Sequence, residues 1–331
     1  MDRPHSLFDR VVSRPRPAWV KITVSLFLLL LPYVIIYLSG LASALLTSGR
    51  WRFVLLTPAI IVYIWLLSSV LDRRGEEVVR SIREISPLDD ESFTTLIENA
   101  QRIKPRNEWI AIGSGAILGW AINSSNDFSE VPILFQAYWT LSLVAMYAMM
   151  TWTFYVAGAG TRLSKVLFQI PLRINLFNLA PFEAIGRQGL LMAMAFLGGI
   201  TLSLILGFQT ASLTQPLFWV IYLALVLVAL LIFFSSMRPA HQVLSKLKGG
   251  ELSGVRRHLE RLGQELMQRV DRQEEAGTIA SEINALTAYE QRLKDTPTWP
   301  YNTGMLRTLF FSILMPLASV LAKMALDVLL P

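Results

Sequence analysis

Six residues that are polar or bend helices recur near the C-terminus, inside an otherwise apolar run. They are Thr308, Ser312, Pro316, Ser319, Lys323 and Asp327. Steps of three or four residues place them on one face of a helix. A polar face in a membrane-spanning helix can line a water-filled pathway, and a lysine there would attract anions. All of these residues except Pro316 are therefore candidates for lining a pathway.

Two structural interpretations compete with a pathway. Lys323 lies in the last two turns of the run, so its ammonium could reach the membrane surface. Alternatively, Lys323 and Asp327 are four residues apart and could form an ion pair. A lysine at the centre of a span costs about 2.5–3.5 kcal/mol, which both arrangements would reduce. The sequence leaves these alternatives open.

Small residues recur at four-residue steps in two other apolar runs. One run contains Gly115 and Gly119, and another contains a longer series formed by Ala195, Gly199, Ser203 and Gly207. Small side chains at this spacing let two helix backbones approach closely in lipid. These six residues are therefore candidates for helix packing rather than for binding a ligand.

Motifs for catalysis or cofactor binding are missing from the sequence. The chain has no cysteine, which excludes disulfides and thiolate metal sites, and its three histidines lie outside the apolar runs. It contains no phosphate-binding GxxxxGK[ST] loop, no HExxH and no GxSxG. We therefore predict no catalytic residue, no cofactor and no metal site, and we expect the protein not to be an enzyme.

The composition indicates a membrane protein. Of 331 residues, 53% are hydrophobic and only 16% are charged, against about 25% charged in a typical soluble domain. Seven apolar runs cover approximately 22–47, 53–71, 109–122, 131–157, 190–208, 216–235 and 305–330. The third is the weakest, because its 14 residues give about 21 Å of helix where about 30 Å is needed. It either continues into residues 123–126 or is re-entrant.

Basic residues in the connections predict the topology. Connections 72–108, 158–189 and 236–304 contain seven, four and ten Lys or Arg residues, whereas 123–130 and 209–215 contain none. Since basic connections stay in the cytoplasm, this alternation predicts seven spans, a cytoplasmic N-terminus and an exported C-terminus. The same rule accounts for the net charge of +6, so we predict no nucleic-acid binding. A prokaryotic cytoplasmic (inner) membrane is the expected location.

The predicted fold is an all-α integral membrane protein with cytoplasmic helical extensions. In the second connection, Asp90 or Ser92 is expected to cap an amphipathic helix. In the last connection, Leu252, Val255, Leu259, Leu262 and Leu266 form a heptad-like seam, which predicts a helical hairpin. The seam either packs within the subunit or joins two subunits.

The expected organisation follows from these elements. It comprises a basic N-terminus (1–21), a first transmembrane hairpin (22–71), amphipathic helices (72–108), a second transmembrane hairpin (109–157), an interfacial loop (158–189), a third transmembrane hairpin (190–236), the cytoplasmic helical hairpin (237–304) and the final span (305–331).

Three functional classes are compatible with this organisation. The first is a channel-like or transport protein, homo-oligomeric, whose last helix lines a polar pathway that favours anions. Its topology resembles that of insect odorant and gustatory receptor channels, which implies a ligand-gated pore. The second is a membrane scaffold or signalling subunit that binds a cytoplasmic protein through its helical connections. The third is a membrane-embedded enzyme that modifies lipids. Expected partners are the lipid bilayer, further copies of the chain and a cytoplasmic protein.

Overall fold

The computed structural model describes residues 17–43, 50–101, 104–124, 131–167, 174–207 and 216–329. Within these ranges the chain forms helices and no strand, which confirms the all-α prediction. The helices are α1 Ala18–Leu38, α2 Leu56–Ile85 (preceded by a 3-10 turn, Arg50–Leu55), α3 Asp90–Gln101, α4 Pro105–Ser124, α5 Ile133–Leu167, α6 Ala180–Gly207, α7 Pro216–Asp271, α8 Gly277–Asp295 and α9 Thr303–Leu329.

Six helical stretches in the described residues are long and apolar enough to cross a membrane. They are Trp19–Leu38, Arg52–Ile85, Ile133–Val156, Ala180–Gly207, Trp219–Asp271 and Thr303–Ala322. Only 11–28% of the most apolar window in each stretch is buried inside the chain. Most of the apolar side chains therefore face outward, as expected for helices surrounded by lipid.

The third apolar run forms helix α4, which is not among these six stretches. Its 20 residues correspond to about 30 Å, and it ends at Ser124. The first turn contains the charged residues Arg106 and Glu108, which lower its hydropathy. Thus α4 has the length of a span but not the apolar composition of the other six.

Helix α4 packs antiparallel along α5, and hydrogen bonds join the two helices near both ends. The Trp152 indole N–H donates to the Glu108 carboxylate at 3.0 Å, and the Asn123 amide donates to the Thr140 hydroxyl at 2.8 Å. Between these bonds the two backbones lie close together, because the side of α4 that faces α5 carries glycine.

Helix α6 lies at the centre of the bundle and packs against α2, α7 and α9. Ala193 and Leu197 of α6, Phe233 of α7 and Leu309 of α9 belong to one buried cluster, and each is at most 3% exposed. On the side of α6 toward α2, the Tyr63 hydroxyl donates to the Ala195 carbonyl at 2.7 Å. The bundle is therefore organised around α6.

A second core, here called the helical module, lies at one end of the bundle. Its buried residues come from the C-terminal part of α2, α3, the loop before α6, the start of α6, the middle of α7, and α8. They are Val78, Ile82, Phe93, Ile97, Leu176, Phe182, Ala184, Ile185, Ala240, Leu244, Val255 and Leu293. Chain segments from three separate connections thus fold into one module.

Helix α7 differs from the expected division between a span and a separate hairpin. Its 56 residues continue through position 236 and past Pro239. Phe233, Met237, Ala240 and Leu244 are each fully buried and form one stripe across this boundary. Since the stripe packs first in the bundle and then in the module, burial favours an uninterrupted helix despite the proline.

Asp89, rather than Asp90 or Ser92, caps helix α3. Its carboxylate accepts the Ser92 backbone N–H at 3.0 Å, while Asp90 forms an ion pair with Arg83. Hydrogen bonding to the Ser92 side chain, and secondarily to its backbone, lowers the pKa of Asp89. The two predicted caps, Asp90 and Ser92, follow the observed cap by one and three residues. The pattern could not separate them, because Asp and Ser are both suitable cap residues.

Substitution of Gly115 tests the close approach of α4 and α5. A Cβ at Gly115 would collide with the Tyr147 carbonyl and the Thr151 hydroxyl, so Gly115→Ala must push backbone apart. We expect a loss of about 1–3 kcal/mol, measured as a lower thermal midpoint in detergent. The control is Gly113→Ala, where an added Cβ has nothing within 4 Å. Equal midpoints for the two variants would contradict the packing.

Candidate functional site

The polar face predicted near the C-terminus, here called the polar stripe, lies on α9. Its described hydroxyls donate hydrogen bonds to backbone carbonyls of the same helix. Thr308, Ser312 and Ser319 donate to the carbonyls of Gly304, Thr308 and Pro316 at 2.9, 2.8 and 2.6 Å. This is the ordinary arrangement of hydroxyls in an apolar helix. The backbone places Lys323 and Asp327 on α9. Their side chains lie outside the described part of the structure.

The hydroxyls of the stripe lie beside the packed seam of α9, whereas Pro316 belongs to the seam itself. Met305, Leu309, Pro316 and Val320 are buried, whereas Thr308 is exposed and Ser312 and Ser319 are half-buried. Each described hydroxyl thus lies three residues after a buried seam residue. The structure brings these hydroxyls to the edge of the contact with the bundle.

The predicted helix-packing residues lie at helix contacts of different tightness. Gly115 and Gly119 are buried against α5, and a Cβ at Gly119 would lie 2.9 Å from the Leu143 carbonyl. On α6, Ala195 accepts the Tyr63 hydroxyl and Gly199 lies beside the Tyr63 ring. The remaining two are Ser203, which bonds to its own helix, and Gly207, which lies against Leu56 and Phe53.

Sequence reasoning assigned no role to Glu108, which is the buried carboxylate of the α4–α5 pair. Glu108 is 3% exposed, and its partner Trp152 is 2% exposed and packs against Trp65 of α2. A buried carboxylate needs such a partner, because burying an unpaired charge or polar group is costly. Since Glu108 and Trp152 are 44 residues apart, no local pattern could have paired them.

The hairpin of α7 and α8 projects from the helical module. Val255, Leu262 and Ile279 are each less than 9% exposed, so the heptad-like seam packs within the subunit. At the base, Arg256 and Lys294 each approach the Glu290 carboxylate at 2.9 Å. The hydrogen bonds from Arg256 and then from Lys294 lower the pKa of Glu290.

Most residues in the distal half of the hairpin are exposed to solvent. Past Val255, α7 continues for 16 residues, or about 24 Å, to Asp271. Near its end, Met267 and Val270 are 67% and 55% exposed, among charged neighbours. The end of α7 therefore exposes two apolar side chains among charged ones.

Comparison with known proteins does not assign the chain to a family. No protein-family model, curated protein or solved structure matches the chain. The predicted resemblance to insect receptor channels therefore has no matching structure. In the described residues, no group of three or more His, Asp or Glu side chains could hold a metal ion.

Removal of the Glu108 carboxylate tests its structural role. Glu108→Ala leaves the Trp152 N–H without this acceptor and opens a cavity, and we expect a loss of about 1–3 kcal/mol. Glu108→Gln keeps an acceptor and should lose less. The exposed Glu98→Ala serves as a control. Thermal unfolding in detergent compares the four proteins, and a Glu108→Ala midpoint equal to that of the control would refute this role.

Proposed function

We propose that this chain is a membrane-anchored scaffold that holds a soluble protein on the α7–α8 hairpin. The observation that supports this most is the helical module, which joins three connections and carries the hairpin. A module continuous with α2, α6 and α7 fixes the hairpin's orientation relative to the spans. A flexible linker would not do so.

The proposed topology has seven spans, with the N-terminus and the helical module in the cytoplasm and the C-terminus exported. The three connections that contribute to the module are the three richest in Lys and Arg, in agreement with the positive-inside rule. Counting α4 as a span requires Glu108 to be shielded from lipid. Its burial against Trp152 supports this. The inner membrane of a prokaryote stays a prediction from sequence.

The proposed contact surface centres on Met267 and Val270. The two residues are adjacent on α7 at three-residue spacing, and the basic Arg269 and Arg272 flank them. The acidic pair Glu274 and Glu275 follows in the turn. A partner with an apolar pocket and charges of both signs around it fits this surface.

A homo-oligomeric channel is the second candidate. The observation that favours it is that α9 contacts the bundle mainly through α6, so that Thr308 and much of the helix face outward. Several copies could place this face around a common axis. Against this, the described hydroxyls already have partners within α9, and many of the exposed α9 residues are apolar, including Phe310, Phe311 and Met315.

Site-specific photocrosslinking tests the scaffold. A photoreactive residue in place of Met267 should give one discrete adduct in native membranes, and Val270→Glu should weaken it by the equivalent of about 2 kcal/mol or more. The matched control is a photoreactive residue at the exposed Arg257, nearer the base of the hairpin. The absence of an adduct at 267, or equal adducts at both positions, would argue against the proposal.

Shortening the hairpin separates the two candidates. Residues 260–285 are replaced by a short Gly/Ser turn, which keeps the Arg256–Glu290 ion pair and buried Leu293. A scaffold then loses its adduct while the bundle stays folded. A channel would instead conduct anions in liposomes before and after shortening, with selectivity changed by Lys323→Glu.

A further inference from the structure

A cleft of about 440 Å³ opens where the loop before α6 meets the linker between α8 and α9. Its walls carry three charged side chains, from Glu183, Arg292 and Asp295. Aromatic rings also line it, from Phe177, Trp299 and Tyr301. The volume lies within the range of about 300–1,000 Å³ typical of sites for small ligands.

The walls of the cleft are held in place by their own contacts. The linker lies directly on α6, since a Cβ at Gly186 would collide with the Pro300 carbonyl. The Lys248 ammonium donates to the carbonyls of Lys294 and Thr296, at 2.7 Å each. The ring of Trp299 stacks on His241 with centroids 4.0 Å apart and an angle of 8° between the planes. The cleft is therefore pre-formed.

Charges of both signs face this cleft without neutralising each other. The Arg292 guanidinium lies over the Phe177 ring, 4.5 Å from its centroid. Asp295 accepts from the Gln291 amide at 3.2 and 3.3 Å. Among the described residues, no ion pair joins Glu183, Arg292 or Asp295 to another side chain. A ligand with a cationic and an anionic group would match these walls.

In the proposed topology, the cleft lies at the outer edge of the headgroup layer, where the ammonium of a phospholipid headgroup is found. On α6, Glu183 precedes the apolar run that begins at Leu190 by seven residues, or about 10 Å. On the other wall, Trp299 and Tyr301 directly precede α9. Tryptophan and tyrosine are enriched at the membrane–water interface, and each headgroup layer is about 5–8 Å thick, so the backbone of Glu183 lies just beyond the outer edge of that layer.

We propose that this cleft binds the headgroup of a phospholipid that carries both a primary ammonium and a phosphate, such as phosphatidylethanolamine. Glu183 and Asp295 accept hydrogen bonds from the ammonium, and Arg292 donates to the phosphate. The aromatic rings contribute cation–π contacts to the ammonium. This inference rests on the membrane topology proposed above. It does not depend on a partner at the hairpin.

Native mass spectrometry of the full-length protein tests the headgroup assignment. The protein is released from nanodiscs of phosphatidylcholine that contain equal minor fractions of phosphatidylethanolamine and phosphatidylglycerol, and its retained lipids are counted. Phosphatidylethanolamine should be retained preferentially. Glu183→Gln and Arg292→Gln should each lower that retention at least about tenfold. Glu84→Gln and Arg187→Gln are matched controls, because these exposed residues do not line the cleft.

Four outcomes would overturn the proposal. Equal retention of the three lipids would show no headgroup preference, and retention of phosphatidylglycerol alone would indicate a purely anionic ligand. A preference unaffected by either cleft variant would place the lipid elsewhere. Soluble phosphoethanolamine is added to delipidated protein as a further arm. Binding as tight as that of the lipid would exclude the lipid as the natural ligand. Unchanged thermal midpoints show that the variants are folded.

Discussion

A charged side chain at the centre of a membrane span costs about 2.5–3.5 kcal/mol on insertion scales. The distribution of charge in this chain follows that cost. The long apolar stretches leave most of their surface outside the chain's own core, and the Lys and Arg residues collect in the connections. Three of these connections then fold together into the helical module. At the start of α4, Glu108 is buried and accepts the Trp152 N–H.

In the proposed membrane setting of the bundle, close packing replaces the hydrophobic effect as the force between helices, because lipid is as apolar as the side chains. Gly115 and Gly119 let α4 lie directly on α5, and Tyr63 anchors α2 to the backbone of α6. The module outside the bundle is built differently. Its buried Ile82, Phe182 and Leu244 form an ordinary hydrophobic core, covered by the charged surfaces of α3 and α8.

The sequence predicts those features that depend on local patterns. Apolar runs indicate the helices, and the seam from Leu252 to Leu266 predicts a helical hairpin, which α7 and α8 form. Local patterns could not predict the features that depend on contacts between residues far apart in the sequence. The Glu108–Trp152 bond, the close fit of the linker on Gly186 and the continuity of α7 past Pro239 each need the packed neighbours to be known. The spacing of the polar stripe on α9 likewise could not show that its described hydroxyls donate to backbone carbonyls of the same helix.

Cysteine accessibility tests most directly whether the three basic connections form one module on one side of a membrane. The chain has no cysteine, so each single substitution reports one position. Glu98→Cys in α3 and Ser281→Cys in α8 should react with a membrane-impermeant maleimide only after the membrane is permeabilised. Ser129→Cys, between α4 and α5, and Ser212→Cys, between α6 and α7, should react in intact cells. Reaction of Ser129→Cys only on the side of Glu98→Cys, which precedes α4, would show that α4 does not cross. Reaction of Glu98→Cys and Ser281→Cys on opposite sides would contradict the single module.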